Sequence, residues 1–546
     1  MSRLRNPPIL VLLAVITAAL VYGGLRGLGY GRGDLEAPPV PAGDQEVAWI
    51  HAATSGPSWE RFVAGVHRAR RDCPELQVDD SRAFLDQTTA IPEVVLGKTG
   101  ASGRLRIRWY KLTSETPSAR WVRTLARRDP PPLAFIGGGS SDRAVDLALA
   151  LAEQKDWAGV APLLLITTAT ANTIVLDADR APPGEPGPKR LMDIYPGRSF
   201  RFCFTNEQMA QAVVDFVWSQ PDLRPYGNPL PAIAAAAAPD PWTAISLLAA
   251  QAKTFPPSAA ALEWDDDPYS VDLSTQFKLA FHESQWPDVL VRLKPSIPFS
   301  VGGFDRPNTW EAAAAEMLLR EQWSPWERQL LVLPAGPAAA RRVLRALTGA
   351  APLAGRNLVA IGGDSMNINT VYRDADIAWN VRSLPVPFVF FAHQNPVAWD
   401  EEQIKAGSVS DGRRTGDSSP SVANASGSDL LPPNGTDDVL LHADLLRRLA
   451  EGAFQPSGLM ANADGLADRL RERQPAFFDP SGDRQGGRGE FVVCLRPQII
   501  DAEGPAAQVL AAATLDVWTR RDATASRWQL VKRLVIDYDR ATRPAP

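Results

Sequence analysis

The chain has 546 residues, 45% of them hydrophobic and 22% charged, and its formal net charge is -5 with a sequence pI near 5.7. This length predicts two or three domains rather than a single core, and the composition is ordinary for a globular protein. Without an excess of basic residues, nucleic acid is not the expected partner.

The N-terminal segment is predicted to enter a membrane. An apolar run spans residues 9–25, Arg3 and Arg5 precede it, and no clear small-residue cleavage motif follows. The run is short for a spanning helix and long for the core of a signal peptide, so both interpretations stay open. We favour an uncleaved anchor over residues 1–30, followed by a linker over 31–45. The arginines before the run predict an extracytoplasmic body.

Beyond the linker, strand and helix patterns alternate. Residues 47–52 predict a first strand, and apolar residues recur with helical spacing over 59–66. Residues 105–109 predict another strand and residues 119–128 another helix. This alternation is typical of an α/β domain with a parallel sheet.

A complete βαβ unit is predicted over residues 132–173. Its first strand ends at three glycines, 137–139, and Ser140, Ser141 and Asp142 are residues that commonly cap the start of a helix. The first N–H groups of this helix and the positive end of its dipole point toward the glycine turn, which favours an anion such as a carboxylate or phosphate. Alternatively, the glycines and serines only make a tight turn.

The second strand of this unit, residues 163–166, is followed by the hydroxyl side chains of Thr167, Thr168 and Thr170. In an open α/β sheet, ligands bind at the carboxyl ends of the strands. The glycine turn and the threonine turn are therefore the first candidates for a ligand site.

We interpret the proline-rich stretch 177–197 as a surface loop. A strand at 200–204 and a helix at 208–218, for which Asn206 is the candidate cap, follow it. A second α/β series is predicted beyond Pro221, with strands at 232–238, 260–264, 298–302, 330–333 and 358–361 and helices between them, including 270–283. One more strand is predicted at 387–391. Residues 405–435 have the composition of a disordered segment. Helices from residues 436 and 463 and late strands at 490–496 and 528–538 complete the chain.

Cysteines and histidines do not form a recognisable metal-binding pattern. Cys73, Cys203 and Cys494 are widely spaced and fit no zinc motif, so isolated buried thiols are expected. No two of the five histidines lie at metal-ligand spacing. We expect neither a metal nor a cofactor.

Several short motifs follow one another in an order that matches a known family. They are the glycine-to-serine turn 137–141, the Ala-Thr-Ala turn 169–171, the Phe-Arg segment 200–201 with Asn206, the Asp-x-Tyr turn 267–269, the strand end 361–364 and the Phe-Asp turn 478–483. In this order they resemble the type 1 periplasmic-binding fold, specifically the branched-chain amino acid (leucine-type) substrate-binding proteins of ABC transporters. The resemblance covers most of residues 45–540.

The resemblance implies an α/β fold of two Rossmann-like lobes joined by a three-crossing hinge, the periplasmic-binding-protein-like I fold. It assigns residues 46–203 and 392–476 to the first lobe, the latter with the insertion 405–435. It assigns residues 204–391 and 477–540 to the second lobe. The three crossings are expected near Cys203, Phe391 and Ala476.

The resemblance also implies a set of ligand-binding residues. In the family, serine and threonine turns of the first lobe hold the carboxylate and amino groups of an amino acid, and a tyrosine and an acidic residue of the second lobe complete the cleft. Carried over to this sequence, these residues are Ser141, Thr170, Tyr269 and Asp364. Together with Gly139, Ser140 and Thr168 of the glycine and threonine turns, they make up the seven expected ligand-binding residues.

The implied function is that of an extracytoplasmic solute-binding protein that closes on a small amino-acid-like or carboxylate ligand and works with a membrane permease or sensor partner. An alternative is a membrane-anchored sensor or scaffold that kept the fold without transport. An enzyme of the serine hydrolase type is less favoured. Ser141 lies at a strand-to-helix turn as a nucleophile would, but the sequence has no G-x-S-x-G motif and no recognisable triad pattern.

Overall fold

The structure is a computed structural model, and it describes residues 36–85, 89–176, 187–227, 237–246, 258–264, 267–283, 292–293, 297–299, 327–336, 340, 343, 357–365, 387–392, 436–455, 458–460, 462–472, 491–498, 512–519 and 527–537. The predicted membrane segment 1–30 and the predicted disordered segment 405–435 lie outside these residues. So do most of the strand predicted at 232–238 and the crossing predicted near Ala476.

The first part of the chain forms lobe 1. Its elements are β1 (Gln45–Ala52), α1 (Gly56–Asp72), β2 (Leu76–Arg82), β3 (Glu93–Lys98), β4 (Leu105–Leu112), α2 (Ser118–Ala126), β5 (Ala134–Gly137), α3 (Ser141–Glu153), β6 (Leu163–Ile166), β7 (Thr173–Leu176), β8 (Gly187–Arg190), α4 (Leu191–Ile194) and β9 (Ser199–Arg201). The main sheet has the order β2-β3-β4-β1-β5-β6-β9. The strands from β4 to β9 are parallel, whereas β3 runs antiparallel to both of its neighbours.

Two apolar layers cover the two faces of this sheet. On one face, Phe135 and Leu164 of the sheet pack in a core with residues of α2, α3 and α4. On the other face, Trp49 and Phe62 belong to a core that also contains residues 441–470. Because the central strands are buried on both faces, they consist of continuous apolar runs such as Leu163–Ile166.

The middle and the end of the chain form lobe 2. Its elements are α5 (Asn206–Ser219), β10 (Ser258–Trp264), α6 (Pro268–Glu283), β11 (Arg292–Leu293), β12 (Ile297–Phe299), β13 (Arg328–Val332), β14 (Asn357–Ile361), β15 (Phe388–Ala392), β18 (Phe491–Gln498), β19 (Ala512–Thr519) and β20 (Gln529–Asp537). The sheet has the order β11-β10-β13-β14-β15-β18-β19-β20, with β12 also paired to β10. Its strands are parallel up to β15 and antiparallel from β18 onward.

Between β15 and β18 the chain returns to lobe 1. It forms α7 (Thr436–Ala453), the short hairpin β16 (Phe454–Gln455) and β17 (Gly458–Leu459), and α8 (Ala463–Glu472). Leu445 and Leu466 of these helices pack in the same core as Trp49 of β1. Helix α7 lies so close to α1 that a Cβ added at Gly65 would stand 2.7 Å from the Cβ of His442. The chain thus passes between the lobes three times, after β9, before α7 and before β18. The finer residue boundaries of the lobes stay a prediction.

Three sequence predictions need correction. Thr205, not Asn206, caps α5, because the Thr205 hydroxyl accepts from the backbone N–H of Gln208 and the Gln208 side chain accepts from the N–H of Thr205. The stretch interpreted as a loop over 177–197 contains β8 and α4, and β8 pairs with β7. All three cysteines are free, but Cys73 is only partly buried.

A buried ion-pair network lies at the amino end of the lobe 1 sheet. The Arg108 guanidinium donates to Glu46 Oε2 at 2.7 Å and to Glu93 Oε2 at 2.5 Å. Arg128 donates to the other oxygen of Glu46 at 2.9 Å. Arg108 also donates to the carbonyl oxygen of Pro38 at 2.7 Å, so the network fixes the chain that leads into β1. This end of the sheet is opposite the carboxyl ends of the strands.

Candidate functional site

The glycine turn after β5 has a backbone that requires glycine. Gly138 has φ +82°, and a Cβ at this position would also stand 3.2 Å from the side chains of Ala144 and Ile166. Gly139 is exposed and Ser140 is partly exposed, so the tip of the turn is open to solvent. Because α3 begins at Ser141, its first N–H groups lie beside this open tip.

Ser141 is less accessible than its neighbours. Its side chain is 2% exposed, and its hydroxyl accepts a hydrogen bond from the backbone N–H of Ala171 at 3.4 Å. Ser140 occupies the N-cap position of α3, but its hydroxyl caps none of the described N–H groups of the helix. Ser141 thus connects the glycine turn to the threonine turn, and Ser140 is the serine that solvent reaches.

The threonine turn after β6 packs directly against the glycine turn. Thr168 donates from its hydroxyl to the carbonyl oxygen of Gly138 at 2.9 Å, and its backbone N–H donates to the same oxygen at 3.3 Å. Thr170 is 1% exposed, and its hydroxyl has no hydrogen-bond partner among the described residues. A buried hydroxyl without a partner is uncommon, because desolvation without a hydrogen bond is costly.

In lobe 2, Tyr269 and Asp364 form a second polar group. The Tyr269 hydroxyl donates to Asp364 Oδ1 at 3.2 Å and accepts from the backbone N–H of Ser365 at 3.4 Å. Burial and the negative charge of Asp364 raise the pKa of Tyr269 well above its ordinary value, so the phenol is neutral. The turn after β14 is close to this ring, because a Cβ at Gly363 would stand 2.5 Å from the Tyr269 hydroxyl.

A buried carboxylate, Asp272 on α6, joins the two lobes. It accepts from the backbone N–H groups of Asn172 at 2.8 Å and of Thr173 at 3.1 Å, which follow β6 in lobe 1. The side-chain amides of Asn206 at 2.8 Å and Gln276 at 3.3 Å also donate to it. The segment after β6 and the first turn of α6, which follows β10, are therefore in direct contact. The carboxyl ends of strands in the two sheets meet there.

The seven residues predicted from the sequence fall into two groups. The first group, in lobe 1, consists of Gly139, Ser140, Ser141, Thr168 and Thr170, which the contacts above bring together. The second group, in lobe 2, consists of Tyr269 and Asp364. Asp272 lies three residues after Tyr269 on α6, so the joint between the lobes is close to the second group.

His51, at the end of β1, also contacts the glycine turn, although it was not among the ligand-binding residues expected from the sequence. A Cβ at Gly139 would overlap the imidazole ring of His51, so the ring lies against this backbone. The ring stacks on Trp49 with centroids 4.2 Å apart. Burial and the charges of His442, Arg143 and Arg61 lower the pKa of His51 to about 3, so its imidazole is neutral at physiological pH.

The described part of the chain offers neither a metal cluster nor a membrane span. No group of three or more His, Cys, Asp or Glu side chains within it could hold a metal ion. None of the described helices combines the length and apolarity that crossing a bilayer requires. The predicted N-terminal anchor lies outside the described residues.

Solved structures of several substrate-binding proteins of ABC transporters are similar to this chain. A protein from Desulfitobacterium hafniense in complex with Leu is 12% identical, with 89% of this chain and 100% of that chain covered and a TM-score of 0.43. The leucine-binding protein LivK from Thermotoga maritima is 14% identical, with 91% and 99% covered and a TM-score of 0.44. A solute-binding protein from R. palustris in complex with benzoate is 12% identical, with 90% and 96% covered and a TM-score of 0.42. No protein-family profile and no curated protein matches the sequence.

Proposed function

We propose that this chain is an extracytoplasmic solute-binding protein of the ABC transporter type, whose two lobes close on a small amino-acid-like or carboxylate ligand. The observation that carries the proposal is the meeting of the two sheets at Asp272, which brings together the segments that follow β6 and β10. Ligands bind at the carboxyl ends of strands in open α/β sheets. A cleft between two such edges is suited to enclosing a small solute.

The two polar groups divide the recognition of an amino acid between the lobes. On lobe 1, the open tip at Gly139 and Ser140 and the first N–H groups of α3 offer donors to a carboxylate. On lobe 2, the Asp364 carboxylate offers an acceptor to an ammonium group, and the Tyr269 hydroxyl orients it. Ser141 and Thr168 hold the two turns of lobe 1 in place, because their hydroxyls bond backbone groups.

The proposed role is non-catalytic. The Ser141 hydroxyl accepts from the backbone N–H of Ala171, and Ser141 is 2% exposed. A nucleophilic serine instead donates its proton to a base and is open to the substrate, so the described contacts of Ser141 favour a structural role. A permease or a membrane sensor is the proposed partner, and the segment 1–30 is the proposed attachment to the membrane.

The low exposure of Ser141 favours a second candidate, a membrane-anchored sensor or scaffold that kept the fold without transporting a ligand. The two candidates differ in whether the cleft binds a solute at all. A thermal-shift screen of the full-length chain against amino acids and small carboxylates separates them, because a bound ligand raises the melting temperature by mass action.

Calorimetry on Ser141→Ala and Asp364→Ala then tests the assigned residues with a compound from the screen. If the Ser141 hydroxyl turns toward a bound carboxylate, its loss should reduce affinity about tenfold to a hundredfold. Asp364→Ala should weaken amine-bearing ligands more than plain carboxylates. Asp468→Ala on α8, whose side chain is 71% exposed, is the matched control and should bind normally.

Either of two results would contradict the proposal. If no amino acid or carboxylate raises the melting temperature, the scaffold candidate replaces the solute-binding one. If a ligand is found but both variants bind it like the Asp468→Ala control, the ligand lies elsewhere and the assigned site is wrong.

A further inference from the structure

A corner of lobe 1 with two arginines and a buried neutral histidine lies beside the proposed carboxylate site. We define the basic corner as His51 at the end of β1, Arg61 on α1 and Arg143 in the first turn of α3. Both helices begin at the carboxyl edge of the sheet, directly after β1 and β5. The positive ends of two helix dipoles therefore point to the same edge.

The start of each helix is open to an external acceptor. Ser55 and Ser140 are the N-cap residues of α1 and α3. Within the described residues, neither serine hydroxyl accepts a hydrogen bond from the first N–H groups of its helix. Arg143 is exposed, and Arg61 is partly exposed with its Nη2 donating to Ser58 Oγ at 3.1 Å. Asp142, also exposed, is the acidic residue in the first turn of α3.

Two buried polar side chains point to a ligand independently of the helix ends. His51 is 7% exposed, its ring contacts the backbone of Gly139, and its Nδ1 has no hydrogen-bond partner among the described residues. Thr170 is 1% exposed, and its hydroxyl likewise has none within the described part of the chain. Thr170 precedes Ala171, which bonds Ser141 at the start of α3, so both unpartnered groups border the glycine turn.

Positive groups from three helices contribute to the surroundings of His51. Burial lowers the pKa of His51 most, and the charges of His442 from α7, Arg143 from α3 and Arg61 from α1 lower it further. A neutral imidazole can donate or accept a hydrogen bond, while the two arginines supply the positive charge. A single ligand carboxylate can be bound by the N–H groups at the start of α3 alone, so the two arginines and His51 can bind a further acidic group.

From this juxtaposition we infer that the site takes a ligand with two acidic groups, such as an acidic amino acid or a dicarboxylate. The inference rests on the proposed function and specifies its substrate class. The first carboxylate lies at the tip of the glycine turn, and the second acidic group lies between Arg61 and Arg143, within reach of His51. Asp364 in lobe 2 contacts the ammonium group where the ligand has one.

Calorimetry of the full-length chain with L-glutamate, L-glutamine and L-leucine tests the inference, because glutamate and glutamine have nearly the same shape and differ in one charge. Glutamate should bind about tenfold to a hundredfold more tightly than glutamine, as expected for a charged hydrogen bond to arginine. Arg143→Gln should remove most of this preference, because it removes the positive charge that distinguishes the carboxylate of glutamate from the amide of glutamine. Arg127→Gln, an exposed arginine just after α2 at the opposite edge of the sheet, is the matched control and should keep the preference.

The outcomes separate the inference from the function on which it rests. If leucine or glutamine binds as tightly as glutamate, the chain is a solute-binding protein and the basic corner does not select acidic ligands. If glutamate is preferred but both Arg143→Gln and Arg61→Gln keep the full preference, the second acidic group binds elsewhere and the assignment is wrong. If none of the three compounds binds, the inference is overturned, and the wider screen alone decides on solute binding.

Discussion

Replacing Asp272 with asparagine tests whether a buried carboxylate joins the two lobes. Asp272 is 3% exposed, and its two oxygens accept from the backbone N–H groups of Asn172 at 2.8 Å and Thr173 at 3.1 Å. Asparagine has the same shape but only one acceptor oxygen. Its NH₂ group must therefore face one of the two N–H groups, and that buried donor loses its acceptor.

The magnitude follows from how many donors lose a partner. The amides of Asn206 and Gln276 also donate to Asp272, but such amides can turn their oxygen toward the new NH₂ group. Only the backbone N–H then stays unpaired, which costs about 1–3 kcal/mol. Burial disfavours the charged carboxylate and raises the pKa of Asp272, and a neutral asparagine avoids this cost. We expect a net loss of about 1–2 kcal/mol in the free energy of unfolding.

Urea unfolding of the full-length chain, followed by tryptophan fluorescence, measures this loss. Asp468→Asn, at an exposed position of α8, is the matched control and should stay within about 0.5 kcal/mol of the original chain. A loss for Asp272→Asn no larger than that of the control would show that the carboxylate does not hold the lobes together. The reasoning from the four hydrogen bonds would then be refuted.

Three further predictions concern lobe 1. Because the pKa of His51 falls from 6.5 in the unfolded chain to about 3 in the folded protein, its contribution to stability is present above pH 6.5 and is lost as the pH falls toward 3. Between pH 6.5 and pH 5, the free energy of unfolding of the original chain should fall by about 1.5 kcal/mol more than that of His51→Asn. The control His282→Asn, at an exposed position, should lose as much as the original chain. Arg108→Met should lower the free energy of unfolding, measured in urea, by about 3 kcal/mol, because Glu93 stays buried with one partner fewer. The control is Arg71→Met at an exposed position, and an equal effect in both variants would contradict the ion-pair network. Gly65→Ala should cost about 1–3 kcal/mol, because its Cβ would stand 2.7 Å from the Cβ of His442 on α7; an unchanged unfolding midpoint would mean that α1 and α7 are packed differently.

The buried parallel strands could be predicted from the sequence. Residues 163–166 were predicted as a strand with the bounds that β6 has. The strand β14 begins one residue before its predicted start, and β15 is shifted by one residue toward the C-terminus. Strands covered on both faces need apolar side chains at every position, and a short continuous apolar run shows this directly. The helices beside these strands could also be predicted, because the apolar residues of each helix recur with helical spacing.

The antiparallel strands β18 and β20 were predicted from the sequence, but β2 and β8 were not. The strand β2, with the sequence LQVDDSR, is buried only at Leu76, is exposed or partly exposed at its other positions, and contains three charged residues. The strand β8, with the sequence GPKR, pairs with β7 inside a stretch whose glycine and proline content indicated a loop. In both cases backbone pairing with a neighbouring strand outweighs local composition, and pairing across the sheet leaves little trace in the sequence of one strand.

The candidate site was only partly visible from the sequence. The glycine turn and the threonine turn could be identified because glycine clusters and hydroxyl residues at strand ends are local patterns. That Ser141 is buried against Ala171 while Ser140 is open could not be predicted, since both serines are equally good capping residues and the packing of β6 against β5 decides between them. The contact of His51 with Gly139 likewise depends on the pairing of β1 with β5.

The joint at Asp272 shows most clearly where local reasoning stops. Asp272 accepts a hydrogen bond from the backbone N–H of Asn172, although the two residues are 100 positions apart in the sequence. Each has an ordinary local position, Asp272 within a helix and Asn172 after a strand. Only the arrangement of the two lobes makes them neighbours. Because Tyr269 lies one helical turn before Asp272, any rotation of the lobes about this joint moves Tyr269 less than it moves residues farther from it. The proposed basic corner around His51 depends on the same kind of long-range packing, because β1 and the helices α1 and α3 each supply one of its residues.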